Sequence, residues 1–252
     1  IVGGDLEGID VPALAGARFA GWRATPTATA PGPISAAPAP GDRRIRILDR
    51  PGSVQTEIRI GHVGLPRRIP DFHALAVMGA ILGGLFNSRL NRVLREERGY
   101  TYGAGAGFDL RRAAGPFSAR LAVNTEVTVP AIEAVLGELT GMRDRPVDRA
   151  ELHAARDFLV GVFPLRFETP GAVVGALSSL VVHDLPDDTL ATYRSHIEAV
   201  TGDDVIAAAR AHVRPDDAAI LLVGDADAFL PALEAAGLGP ISVERDAEPA
   251  AG

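Results

Sequence analysis

Residues 86–107 read FNSRLNRVLREERGYTYGAGAG: an arginine-rich stretch at helical spacing, a glycine at position 99, then an aromatic pattern in which glycine alternates. A helix that stops at a glycine and re-enters as a strand commits the chain to a tight helix-to-sheet junction. Arg95 and Tyr102 stand on the two sides of it, 102 − 95 = 7 positions apart. A guanidinium keeps its charge at any relevant pH and offers several N–H donors, and a phenol can donate to a developing oxyanion. Together they could grip a polarised carbonyl. The plain alternative is a surface arginine and a half-buried strand tyrosine. Glu96 and Glu97 read as charges of a solvated helix face, able to pair with Arg92 or Arg98, rather than as acid–base groups.

Around this junction the hydrophobic period switches repeatedly. Residues 45–48 and 54–63 read as strands. The second alternates Val54, Thr56, Ile58, Ile60 and His62 on one face with Gln55, Glu57 and Arg59 on the other, and Pro51-Gly52 makes the turn between them. Helices are predicted over 70–82, ending at Gly83-Gly84, and over 88–98. An antiparallel pair follows at 100–110 and 117–123. Helical spacing then recurs over 130–142, 148–163, 170–182, 188–198 and 202–213, before a late buried strand at 218–224 and a final helix. Strands and helices mix without strict alternation, so the expected class is α+β: a mixed, mainly antiparallel sheet backed by helices.

The domain reading is equally coarse. Residues 1–22 resemble a strand end and a helix, with Asp10 as N-cap, and form the expected tail of a preceding repeat. A similar Gly-Asp break before a helix recurs at 220–233, though the likeness is short. Residues 23–42 are a Pro/Ala-rich linker without apolar period, 43–240 the main domain and 241–252 a tail.

With 252 residues, 47% of them apolar, the chain can bury a sizeable core. Its net charge, 25 − 32 = −7, argues against nucleic-acid binding, which requires clustered cations. Cysteine is absent, which removes disulfides and thiolate metal sites. The longest apolar stretch, 74–86, falls short of the roughly 18–20 residues of a membrane span. The setting expected is a bacterial soluble compartment, cytoplasm or periplasm.

The segment carries a resemblance. Gly83-Gly84, Ser88-Arg89-Leu90, Leu94-Arg95-Glu96, Gly99 and Tyr102 are similar to the signature of the second half of pitrilysin/insulysin-type zinc metallopeptidases, the family that includes the mitochondrial processing peptidases. The signature covers about a tenth of the chain, and the element order extends the likeness more loosely over the rest. It implies a substrate-binding half in which Arg95 and Tyr102 hold the carbonyl of a peptide. Ser88, Arg89, Gly103 and Asn124 are the neighbouring candidates for substrate contact. The resemblance also implies a partner half or homologous subunit that bears the zinc and the general base. The family's zinc motif, His-x-x-Glu-His, is missing here. His62, His73, His153, His183, His196 and His212 include no two at the three- or four-residue spacing that puts a pair on one helix face. The expectation is therefore a chain without a metal site of its own. The alternative within the family is an inactive scaffold or assembly subunit. Gly103, Gly105 and Gly107 fit no phosphate loop; they read either as an edge strand that another backbone can approach closely or as a plain accommodation of strand twist.

Overall fold

The computed structural model describes residues 1–23 and 41–245. Helix α1 (Val11–Phe19) comes first, then strands β1 (Arg44–Asp49) and β2 (Gln55–Val63). Helix α2 (Phe72–Gly79) runs on into a π-helical turn, Ala80–Gly84, and α3 (Arg89–Asn91) into a second, Arg92–Glu97. Strands β3 (Ala104–Phe108) and β4 (Pro116–Asn124) form the predicted antiparallel pair. Five helices follow: α4 (Thr128–Asp144), α5 (Arg149–Val162), α6 (Pro170–His183), α7 (Thr189–Ala199) and α8 (Gly202–His212). Strand β5 (Ala219–Gly224), α9 (Ala226–Ala236) and β6 (Ile241–Glu244) complete the order.

The six strands make one sheet in the order β3-β4-β2-β5-β1-β6. Pairs β3/β4, β4/β2 and β2/β5 are antiparallel, whereas β5/β1 and β1/β6 are parallel. The mixed, mainly antiparallel sheet expected of an α+β chain is what forms. Alternation decides which face is buried. Ile45 and Ile47, Thr56, Ile58 and Ile60, Phe117, Ala119 and Leu121, and Ile220 and Leu222 all turn to the helices and are almost wholly buried. The opposite face carries charge, with Arg59 on Glu57 (2.9 Å) and Arg46 on Glu244. One packed and one solvated face is the usual state of an antiparallel sheet.

Helix ends follow their cap chemistry. Asp10 accepts the Ala13 N–H at 2.9 Å, as expected. Asp148 and Glu151 form a reciprocal capping box at α5, and Thr201 and Asp204 another at α8.

Three features depart from the sequence reading. Residues 241–244, placed in the tail, form edge strand β6 on β1. Both helices of the signature region end in π-turns, with Leu85 N–H donating to Ala80 O and Arg98 N–H to Val93 O. The strand expected from position 100 starts only at Ala104. Most of the 23–42 linker, and the tail beyond 245, lie outside the described residues.

Candidate functional site

The junction is built by one side chain. Asn91, 8% exposed at the end of α3, donates from Nδ2 to Leu85 O (3.1 Å) and to Ser88 Oγ (3.2 Å). Its Oδ1 accepts the Ala104 N–H at 2.8 Å. The amide thus links the loop before α3, the start of α3 and the first residue of β3. Gly99 takes φ +65°, the left-handed conformation that glycine adopts without cost, and Tyr100 N–H returns to Leu94 O at 2.8 Å. The Thr101 hydroxyl then bonds Gly103 on both its carbonyl (3.0 Å) and its N–H (3.2 Å). This local turn keeps residues 100–103 off the strand ladder, which is why β3 begins late.

Tyr102 sits at the tip of that turn and is 95% exposed. Arg95, half-buried on the second π-turn, lays its guanidinium 4.2 Å from the centre of the Phe86 ring. No carboxylate pairs with Arg95 among the described residues. Two of the arginines around it are paired with carboxylates, Arg89 with Glu151 and Arg92 with Glu97 at 3.7 Å, whereas Arg98, like Arg95, has a ring contact, 5.8 Å from the Tyr100 ring. Arg95 and Tyr102 flank the same junction, but no hydrogen bond joins them among the described residues. Phe86, itself 68% exposed, carries no periodic signal of this role in the sequence, since its stacking partner lies nine positions away.

The other candidates separate. Ser88 is 2% exposed and serves as the N-cap of α3 and as acceptor for Asn91. Arg89 is 4% exposed, and its guanidinium is taken up by Glu151 Oε1 (3.0 Å) and Oε2 (2.8 Å) and by Pro146 O (3.2 Å). Burial alone would push the Glu151 carboxyl up; the hydrogen bonds and charge of Arg89, with the Asp148 N–H and Arg92, hold it below the usual range. In this structure Arg89 is a strut between α3 and α5. Gly103 lies exposed beside Tyr102. Asn124 ends β4, where its side chain accepts the Glu126 N–H at 3.1 Å. Ala104 pairs with Leu121, so Tyr102 and Asn124 lie at the same end of the sheet.

The glycine strand has a partner on its other side. A Cβ built on Gly83 would lie 2.2 Å from Ala106 N, so the first π-turn packs backbone to backbone on β3. The tight approach is at Gly83; a Cβ on Gly105 would meet Gly83 O only at 3.7 Å, and one on Gly107 would have open space. A cleft of about 650 Å³ opens between α3 and α5, lined in part by Ser88, Arg92, Glu96 and Arg145; neither Arg95 nor Tyr102 lines it.

Among the described residues, no group of three or more His, Asp and Glu side chains is placed to hold a metal ion. His62 is a packing residue between Phe117 and Phe108, with Nδ1 donating to Val63 O (2.8 Å) and Nε2 accepting the Arg214 N–H (3.1 Å). His212 bonds Asp71 at 2.6 Å across α8 and α2. No single described helix is long and apolar enough to cross a membrane.

Comparison with known proteins bears on this geometry. The chain is similar to the peptidase M16 inactive domain of Pseudomonas fluorescens, at 28% identity and TM-score 0.72, over 79% of this chain and 47% of that one. A protease from Helicobacter pylori shares the fold at 16% identity and TM-score 0.78, over 88% of this chain and 54% of that one. A chain of complex III2 from Candida albicans does so at 16% identity and TM-score 0.63, over 75% and 47%. The chain thus spans about half the length of these solved structures. No curated protein matches it. The family model described as the peptidase M16 inactive domain matches residues 1–159, which hold the whole Asn91-centred junction; the chain belongs to that family of metallopeptidase-like domains.

Proposed function

We propose that this chain is the metal-free, peptide-holding half of a zinc metallopeptidase, and that Arg95 and Tyr102 bind a peptide carbonyl near the bond to be cut. The observation that carries this reading is that the pair is left available. Tyr102 projects at 95% exposure, and Arg95 has a ring to lean on but no carboxylate among the described residues, while Arg89 and Arg92 beside it are paired. Arg95 would orient the carbonyl and polarise it. Tyr102 would donate to the oxygen as negative charge develops there. The zinc and the general base would come from a homologous half, in the same polypeptide or in another subunit. Gly103 and Asn124, at the same end of the sheet, would border the peptide, and Ser88 and Arg89 would hold the site in shape from below.

The exposure of α1 supports a partner half. Helix α1 buries none of its residues, and Leu14, Phe19 and Trp22 are exposed at 52%, 60% and 76%. A mostly apolar helix that buries no side chain against the other described residues is suited to packing on a preceding repeat, joined to the main domain through the 23–42 linker.

The test is reconstitution. Mixed with a zinc-bearing homologue carrying His-x-x-Glu-His, the chain is expected to co-purify with it and to support cleavage of a peptide library that neither component cuts alone. Tyr102→Phe and Arg95→Ala are each expected to slow cleavage by about 10²–10³, the usual cost of one oxyanion donor. Full activity in both variants would leave the scaffold reading.

A further inference from the structure

A second cavity, of about 490 Å³, lies where the loop before α2 meets α7. It is at the far end of the sheet from Tyr102: the Arg67 N–H donates to Arg111 O (2.7 Å) in the turn that follows β3, whereas Tyr102 precedes β3. Its size is that of a small-ligand site. The walls are apolar, from Ile69, Phe72, Leu185 and Pro186. Arg67 and His73 line it as well.

The cation is Arg67. Its guanidinium lies flat on the Phe72 ring, 3.4 Å from the centroid, and among the described residues no carboxylate pairs with it. Neighbouring Arg68 is different, since Asp184 holds it. Asp188, the carboxylate among the lining residues, is exposed and makes no ion pair with Arg67. A half-buried guanidinium without an anion has lost water and gained only a ring face, so a carboxylate placed there recovers a forked, charge-assisted pair. The imidazole is His73. Its Nε2 is buried without a hydrogen-bond partner, and its ring packs against His196 at 4.8 Å between centroids. Burial first, then the charges of His196 and Arg67, bring its pKa down to about 4, so at neutral pH it is a neutral ring that adds no charge to the cavity.

We infer that this cavity binds the free C-terminal carboxylate of a peptide, with the last side chain seated on its apolar wall. A guanidinium fork for the carboxylate and an apolar recess next to it match a chain terminus, which carries an acid and a side chain on one carbon. Inorganic anions would leave the apolar wall unused. Thr192 lines the cavity too; its hydroxyl donates to Asp188 O (2.9 Å) and keeps lone pairs for a peptide N–H. This inference stands apart from the reading of Arg95 and Tyr102.

The experiment is calorimetric titration of the full chain with an N-acetylated hexapeptide ending in leucine, as the free acid and as the C-terminal amide. Isovalerate and inorganic phosphate are titrated in parallel. The free acid is expected to bind at least tenfold more tightly than the amide and than either small anion. Arg67→Met keeps the stacking bulk on Phe72 without the charge and is expected to abolish the preference for acid over amide; Arg67→Lys is expected to retain part of it. Equal affinity for acid and amide would overturn the inference, and so would isovalerate or phosphate binding as tightly as the peptide acid. The acid–amide comparison needs no variant, so it stands even if Arg67→Met does not fold.

Discussion

Asn91 Oδ1 accepts the backbone N–H of Ala104 at 2.8 Å, and this bond sets where the helix side of the signature ends and the strand side begins. Asn91→Ala would orphan a buried N–H as well as losing two donor bonds, at a cost of about 1–3 kcal/mol. Urea unfolding of the variant is expected to show that loss, and amide exchange at residues 100–104 is expected to speed up more than exchange at the β2–β5 pair. Uniform acceleration across the sheet would mean that Asn91 stabilises globally and does not position Tyr102.

Arg89 and Glu151 tie α3 to α5. Removing one member leaves the other charge half-buried and alone, so Arg89→Ala is expected to cost about 3 kcal/mol or more. For a chain of this size that lowers Tm by about 6–12 °C. Glu151→Gln, which keeps one acceptor, is expected to cost less. Thermal scans of the two variants check the order.

Gly83 has no room for a side chain. Gly83→Ala would drive its Cβ into Ala106 N and is expected to destabilise by about 1–3 kcal/mol, even though alanine is the better helix former. Gly79, one turn earlier, has open space at the same test, and Gly79→Ala is expected to be neutral or stabilising. Denaturation midpoints of the two variants should move in opposite directions or by clearly different amounts.

Stability is expected to fall as pH drops below about 6.5. Burial lowers the pKa of His73, to about 4, and of His62, whose Nε2 must stay unprotonated to accept the Arg214 N–H. The unfolded chain therefore binds protons on these rings first, and the native state loses ground from pH 6.5 downward until His73 itself titrates near 4. His73→Phe is expected to flatten part of that slope in urea titrations at pH 7.5, 6.0 and 5.0. Parallel slopes for wild type and variant would assign the dependence to other groups.

Much of this architecture is legible from spacing. The alternation of Thr56, Ile58 and Ile60 marks the buried face of β2, and the helical period finds α4 to α8 within a residue or two at most ends. The π-turns escape such reading, because one extra residue in a turn is set by what packs against it, here the backbone of β3 on Gly83. Strand β6 escapes because ISVE is short and gains its register only from β1. Local sequence points to Arg89 as readily as to Arg95; what separates them is Glu151, 62 positions away, which claims one guanidinium and leaves the other. The recess around Arg67 is non-local too, assembled from the loop before α2 and from the start of α7.

Strand β5 lies between β2 and β1, yet it is made some 160 residues after them. The two early strands do not pair with each other, and each has β5 as its neighbour, so the half of the sheet bearing β1 cannot join the rest until that late strand is made. Any excised piece ending near residue 159 would present the raw edges of β2 and β1 to its neighbours, and precipitation is the outcome to expect of it.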